Sequence, residues 1–181
     1  MELWALHVDW TTPANSTLTP LTGAQLTDWD QTLCGTGSDW SCMSQPGTTQ
    51  KLDPIREPVH YPLQYRNFGD YQMLLTNHTV DVNQNNKAGI RWYDIRKPGG
   101  GVWAINQQGT FSPDADHRWM GSVAMNGAGD MALGYSVASS SIYPSIRTTG
   151  RLATDTAGTM TQGETTVISG TGSQTHTASR W

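Results

Sequence analysis

Apolar residues alternate with period two along most of the chain, and the spacing of an amphipathic helix is nearly absent. Ten short segments carry this alternation: residues 3–10, 17–19, 61–67, 71–80, 89–96, 102–111, 120–125, 130–138, 143–152 and 165–169. Turns rich in Asn, Gly and Pro separate several of them, for example at 83–87, 98–101 and 126–129. The sequence therefore predicts an all-β protein built from short antiparallel strands.

The last eight of these segments form two groups of four that resemble each other. GDYQMLLT at 69–76 aligns with GDMALGYS at 129–136, so that a Gly-Asp turn opens the second strand of each group. The period of roughly 60 residues is slightly longer than that of most propeller blades, which have four strands each. We predict antiparallel four-stranded repeats of the β-propeller type, and a twisted β-sandwich is the alternative.

The repeats divide the chain into five parts. We predict a half-blade hairpin at 1–24, an irregular loop at 25–58, blades at 59–112 and 113–178, and the start of a next blade at 179–181. About two and a half blades would not close a ring. The open strand edges would pair with another chain, so we expect self-association through β-pairing.

Charge and hydropathy exclude two kinds of partner. No run approaches the roughly 20 apolar residues that a membrane helix requires. The formal net charge of -4 leaves no basic surface of the kind that binds nucleic acid. We therefore expect neither a membrane partner nor a nucleic-acid partner.

The two cysteines flank a short segment rich in Gly and Ser. Cys34 and Cys42 are close in sequence, and we predict that they form a local disulfide in an oxidising compartment. Two free thiols in a surface loop are the alternative. A zinc site is not expected, because no other cysteine is present to complete the usual ligand set.

Several longer segments resemble a known family. They are QQGTFSPD at 107–114, HRWMGSVAM at 117–125, ALGYS at 132–136, YPSIR at 143–147, TGR at 149–151 and YRNFGD at 65–70. These segments resemble large secreted bacterial repeat proteins that are similar to sialidase-like β-propellers. The resemblance implies an extracellular location and a chain that continues past Arg180 and Trp181 into further blades. It implies no catalytic residues.

The loops between predicted blades hold the candidate site residues. In a propeller, residues 113–119 would join the outermost strand of one blade to the innermost strand of the next, and 51–60 and 174–180 would be equivalent loops. Such loops crowd at the mouth of the central channel, where ligands bind. The candidate catalytic residues are Asp114 and Asp116, and the candidate ligand-binding residues are Arg56, His60, His117, Arg118, Trp119, His176 and Arg180.

Repeated arginines at one rim would suit a carboxylated sugar, because guanidinium and carboxylate form two parallel hydrogen bonds. The alternative for Arg118 and Arg180 is a structural role, in which they stack on Trp rings or pair with Asp. Asp114 and Asp116 could contribute oxygen ligands to Ca²⁺, but two carboxylates are few for such a site. We expect no other cofactor and no other metal.

Three functions are compatible with these features. The first is a non-catalytic binding module of an extracellular bacterial protein, with glycans or cell-surface partners as ligands. The second is a sialidase-like glycoside hydrolase, which would need two carboxylates on facing loops. The third is a structural repeat segment of a larger protein.

Overall fold

The computed structural model describes residues 1–21, 23–35, 41–56 and 58–176. These residues form ten strands and one turn of 3₁₀ helix at Pro13–Asn15. The strands are β1 (Leu3–His7), β2 (Thr17–Leu21), β3 (His60–Asn67), β4 (Tyr71–Asp81), β5 (Ala88–Pro98), β6 (Ala104–Phe111), β7 (His117–Met125), β8 (Met131–Ala138), β9 (Ser145–Arg151) and β10 (Thr165–Ile168). Within these residues, no helix has the length and apolar character needed to cross a membrane.

In the described part of the chain, the strands form three antiparallel sheets. β1 and β2 make a separate hairpin, β3–β4–β5–β6 make the first sheet, and β10–β9–β8–β7 make the second sheet. Every strand in these sheets pairs only with its neighbours in sequence. The prediction of an all-β fold with antiparallel strands is confirmed, and each strand overlaps one of the ten predicted segments.

Two strands, β1 and β7, differ from the prediction by three residues at one end. β1 ends at His7 because the Asp9 carboxylate accepts the backbone N–H groups of Thr11 and Thr12 at 2.9 and 2.8 Å and starts a turn. β7 begins at His117, three residues before the predicted segment. Its register with β8 shifts between Trp119 and Ser122, and this bulge interrupts the alternation that marks a strand in the sequence.

The main core lies between the first and second sheets. Met73 and Leu75 of β4 and Trp92 of β5 pack in one buried cluster with Leu133 and Tyr135 of β8. Alternate residues of a strand point to opposite faces, so Leu74 lies on the other face of the first sheet. That outer face is covered in part by the N-terminal segment, which contributes Leu3, Ala24 and Leu26 to a second cluster with Tyr93 and Ile95.

The irregular segment that precedes β3 has its own small core. Cys34 and Cys42 form a disulfide with Cα atoms 5.3 Å apart, as predicted. Leu33, Met43 and Leu52 are completely buried in one cluster with Trp119 at the start of β7. The disulfide segment is therefore packed against the sheets, although the regular pairing of its described residues is limited to isolated bridges.

Candidate ligand-binding cleft

Arg118 lies at the centre of a buried ionic cluster. Its side chain is 0% exposed, and it forms salt bridges of 2.7 Å with both Asp114 and Glu164. All five N–H donors of the guanidinium are used: four go to these two carboxylates and one goes to the Asp116 carbonyl oxygen. Arg118 therefore offers a ligand neither a spare donor nor exposed surface. Its position fits the alternative in which Arg118 has a structural role and pairs with Asp.

The carboxylates around Arg118 are held in the ionised form. Hydrogen bonds from Arg118 are the main reason that the pKa of Asp114 falls to about 2. Burial tends to raise the pKa of Glu164, but hydrogen bonds from Arg118 and Tyr135 outweigh it, and the net shift is downward. The Tyr135 hydroxyl donates a hydrogen bond to the Glu164 carboxylate at 2.6 Å. Burial is the main reason that the pKa of Tyr135 is raised, and this hydrogen bond is the second reason.

The neighbouring candidates are also largely enclosed. Trp119 is fully buried in the core under the disulfide segment, where no sugar could stack on its ring. His117 is partly buried, and its Nδ1 accepts the Ala88 backbone N–H at 3.4 Å. Burial is the main cause that lowers the pKa of His117. Trp119 has no exposed surface, and the ligand-binding role expected for it stays a prediction.

The remaining candidates do not form one described site. Arg56 donates hydrogen bonds to the carbonyl oxygens of Leu33 and Gly35 and so holds the disulfide segment. His176 is exposed near the end of the described chain. His60 begins β3, but its side chain is outside the described part, and Arg180 lies outside the described residues altogether.

One of the two possible Ca²⁺ ligands, the Asp114 carboxylate, has other partners. Asp114 is paired with Arg118, and its Oδ1 also accepts the Asp116 backbone N–H at 2.8 Å. Among the described residues, no group of three or more His, Cys, Asp or Glu side chains is placed to hold a metal ion.

A different surface has the features of a binding site. It is a cleft of about 720 Å³ lined by residues 28–32, by residues 80–82 and 84 at the end of β4 and just after it, and by Arg91 and Thr110 on β5 and β6. We call it the Trp29 cleft. Trp29 is exposed in it, and Asp28, Gln31 and Gln84 are exposed around the ring.

Buried aromatic residues support Trp29 from below. The Trp29 ring meets the His78 ring edge-on at 5.4 Å between centroids, and His78 stacks on Tyr93 at 5.6 Å. The His78 Nε2 and the Tyr93 hydroxyl are 2.9 Å apart and share a hydrogen bond. Both rings are buried, and burial raises the pKa of Tyr93. Because these rings are fixed by packing, Trp29 is held in place before any ligand binds.

Turn hydrogen bonds fix the backbone beside Trp29. The Asp30 carbonyl oxygen accepts the Asp81 backbone N–H at 2.9 Å, which joins the segment to the end of β4. The Asp30 carboxylate accepts the hydroxyl and the backbone N–H of Thr32 at 2.6 and 2.7 Å, and these bonds lower its pKa. The Asp81 carboxylate accepts backbone N–H groups of the turn between β4 and β5.

Arg91 supplies the positive charge of the cleft. Its guanidinium lies 5.5 Å from the Tyr93 ring centroid and donates to the Thr110 hydroxyl at 3.1 Å and to Gln108 Oε1 at 2.7 Å. It also donates to the Thr27 hydroxyl. Among the described lining residues, three carboxylates (Asp28, Asp30 and Asp81) accompany this one cation, so the formal charge of these residues is negative.

The cleft is not predictable from the local sequence. The only local sign is the run Asp28-Trp29-Asp30, which places an aromatic side chain between two carboxylates inside an irregular segment. Arg91 and Gln84 carry no sign of their own, because the fold brings them to Trp29 from positions more than fifty residues away.

The fold and the cleft define a general class, an all-β protein with an aromatic and acidic surface cleft. Comparison of the chain with protein-family models, with curated proteins and with solved structures finds no match in any of the three.

Proposed function

We propose that this protein is a non-catalytic glycan-binding module and that the Trp29 cleft is its binding site. The observation that carries the proposal is the exposed Trp29 ring, fixed from below by His78 and Tyr93 and surrounded by exposed polar side chains. A sugar can stack its apolar face on such a ring. The sugar hydroxyls can donate hydrogen bonds to carboxylates. They can both donate hydrogen bonds to side-chain amides and accept hydrogen bonds from them.

The charge of the cleft favours uncharged sugars or amino sugars. Asp28, Asp30 and Asp81 would repel a carboxylated glycan, and Arg91 already donates to Thr110 and Gln108. The carboxylated ligand expected at Arg118 is therefore not part of this proposal. Fixed aromatic and turn residues reduce the entropy lost on binding, which suits a module that recognises its ligand without turnover.

The hydrolase alternative has weaker support. A glycosidase needs one carboxyl group with a raised pKa as the acid and a second as nucleophile or base. The pKa of Asp114 is about 2 and that of Glu164 is lowered, so both are ionised at neutral pH. Neither group suits the acid role.

The wider setting that we propose is an extracellular, sialidase-like repeat protein with blade-type sheets that self-associates through open strand edges. The disulfide supports an oxidising compartment. Two consecutive four-stranded antiparallel sheets, with β7 packed on β4 and β5, support successive blades. β3 and β10 are at sheet edges, which supports pairing with another chain.

The glycan proposal can be tested with a glycan array. Calorimetry then measures the affinity of the neutral or amino sugars that bind on the array. Trp29→Ala should weaken binding by roughly two- to tenfold, since stacking on an aromatic ring contributes on the order of 0.5–1.5 kcal/mol. Trp10→Ala is the matched control, because Trp10 is exposed on the hairpin outside the cleft. Equal affinity of wild type and Trp29→Ala would reject the site. Release of reducing sugar would support the hydrolase, and inertness in both assays would support a structural segment.

A further inference from the structure

A second groove lies between the hairpin and the outer face of the first sheet. It has a volume of about 560 Å³, and Trp4 and Leu6 of β1 line one side while Leu63 and Tyr65 of β3 line the other. We call it the hairpin groove. These four side chains are 54%, 69%, 51% and 58% exposed. Contiguous exposed apolar surface of this kind marks an interaction site.

The hairpin does not use these apolar side chains in its own fold. Leu3 is the only buried residue of β1, and every residue of β2 is exposed. An isolated two-stranded hairpin is marginally stable in water. The exposed side chains of β1 would therefore be stabilised by a surface that covers them.

The size of the patch suits a second protein surface. The exposed parts of Trp4, Leu6, Leu63 and Tyr65 together leave on the order of 400–500 Å² of surface, given that one aromatic side chain buries about 150–250 Å². Covering this area on two partners would bury about 800–1,000 Å², and the flanking Glu2 and Lys97 side chains would bring the total to the roughly 1,000 Å² of a specific interface.

Strand edges and charges favour a second copy of this chain over another partner. Among the described residues, β1 pairs only with β2, which leaves its other edge open. Glu2 and Lys97 both line the groove without a salt bridge between them in the structure. A two-fold axis would place Glu2 of each copy near Lys97 of the other and would place apolar side chains of the same patch against each other.

We propose that the hairpin groove is a two-fold interface in which β1 of each copy lies in the groove of the other. This inference rests on the proposed self-association and is independent of glycan binding, because the Trp29 cleft shares no lining residue with the groove.

Sedimentation equilibrium over a range of concentrations tests the proposal. The wild type should reach a mass of twice 19.8 kDa. The double variant Leu6→Ser/Tyr65→Ser should raise the dissociation constant at least about tenfold, because a few central side chains, Tyr among the most frequent, carry most of the affinity of an interface. Leu152→Ser is the matched control, since Leu152 is 46% exposed just after β9 and lies outside the groove. Circular dichroism checks that each variant is folded.

Charge reversal gives a second test. Glu2→Lys should weaken the dimer, and adding Lys97→Glu should restore it. A wild type that stays monomeric would overturn both this interface and the proposed self-association. A dimer that persists in the groove variants would overturn the interface alone, and so would masses that grow beyond two copies. Glycan affinity measured on the same variants reports separately on the Trp29 cleft.

Discussion

Replacing Arg118 should destabilise the protein strongly. The guanidinium is fully buried, donates five hydrogen bonds and lies 5.6 Å from the Phe111 ring centroid. In Arg118→Ala, the Glu164 carboxylate would lose its main cationic partner while its side chain is only 18% exposed. The variant would also leave a cavity beside Phe111.

The magnitude follows from the two carboxylates. Breaking a buried ion pair by removing one partner costs about 3–5 kcal/mol. The lower end applies, because Asp114 is half-exposed and can be hydrated again, and Arg147 remains 3.4 Å from Glu164. A loss of about 3 kcal/mol corresponds to a fall in Tm of roughly 10 °C for a chain of this size. Arg118→Lys keeps the charge but has three donors, so it should lose about half as much.

Urea and thermal unfolding of the two variants measure this effect. Arg66→Ala is the control, because Arg66 is exposed and its guanidinium only lies near the Phe68 ring, at 5.8 Å. That variant should stay within about 0.5 kcal/mol of the wild type. If Arg118→Ala were as stable as Arg66→Ala, the structural role of Arg118 would be refuted and a binding role would regain support.

Three further predictions concern the disulfide, pH and a close backbone contact. Reduction of Cys34–Cys42 should cost about 2.5 kcal/mol by loop closure, and two thiols titrating in the denatured, unreduced protein would contradict the bridge. The stability from the ionised Asp114 is present above its ordinary pKa of 3.8 and is lost as the pH falls towards about 2, so the Tm advantage over Asp114→Asn should shrink in that window. Gly109→Ala should cost about 1–3 kcal/mol in urea unfolding, because its Cβ would overlap a carbonyl oxygen of a neighbouring loop. Gly172→Ala, with open space around its Cα, should be nearly neutral, and equal effects of the two would contradict the packing.

The strands could be predicted because alternation in sequence is a direct consequence of strand geometry. Met73 and Leu75 face one side of β4, and Leu74 faces the other. The prediction was least accurate where a side chain or a bulge changes the backbone, as Asp9 does after β1 and the shift after Trp119 does in β7. Such local effects leave no periodic pattern.

The candidate sites were harder to predict because their partners are distant in sequence. The sequence places Arg118 beside two acidic neighbours and leaves a binding and a structural role open, but only the fold shows that Glu164, 46 residues away, completes its buried cluster. Trp29 lies in an irregular segment, and only the fold shows that His78 and Tyr93 support its ring. Local sequence gives residue type and spacing, whereas burial and hydrogen-bond saturation decide whether a charged group can bind a ligand.

The two proposals together predict avidity on a surface. A two-fold dimer would carry two Trp29 clefts. When the spacing allows both clefts to bind one glycan-coated surface, the dimer should bind that surface about 10²–10⁴-fold more tightly than a single cleft does. The Leu6→Ser/Tyr65→Ser variant should therefore lose surface retention by about 10²-fold and keep its affinity for a soluble oligosaccharide. Surface plasmon resonance and calorimetry on the same preparations measure the two quantities. A parallel fall in both would mean that the cleft depends on the hairpin groove, and unchanged retention by a monomeric variant would mean that the two clefts of a dimer do not act together.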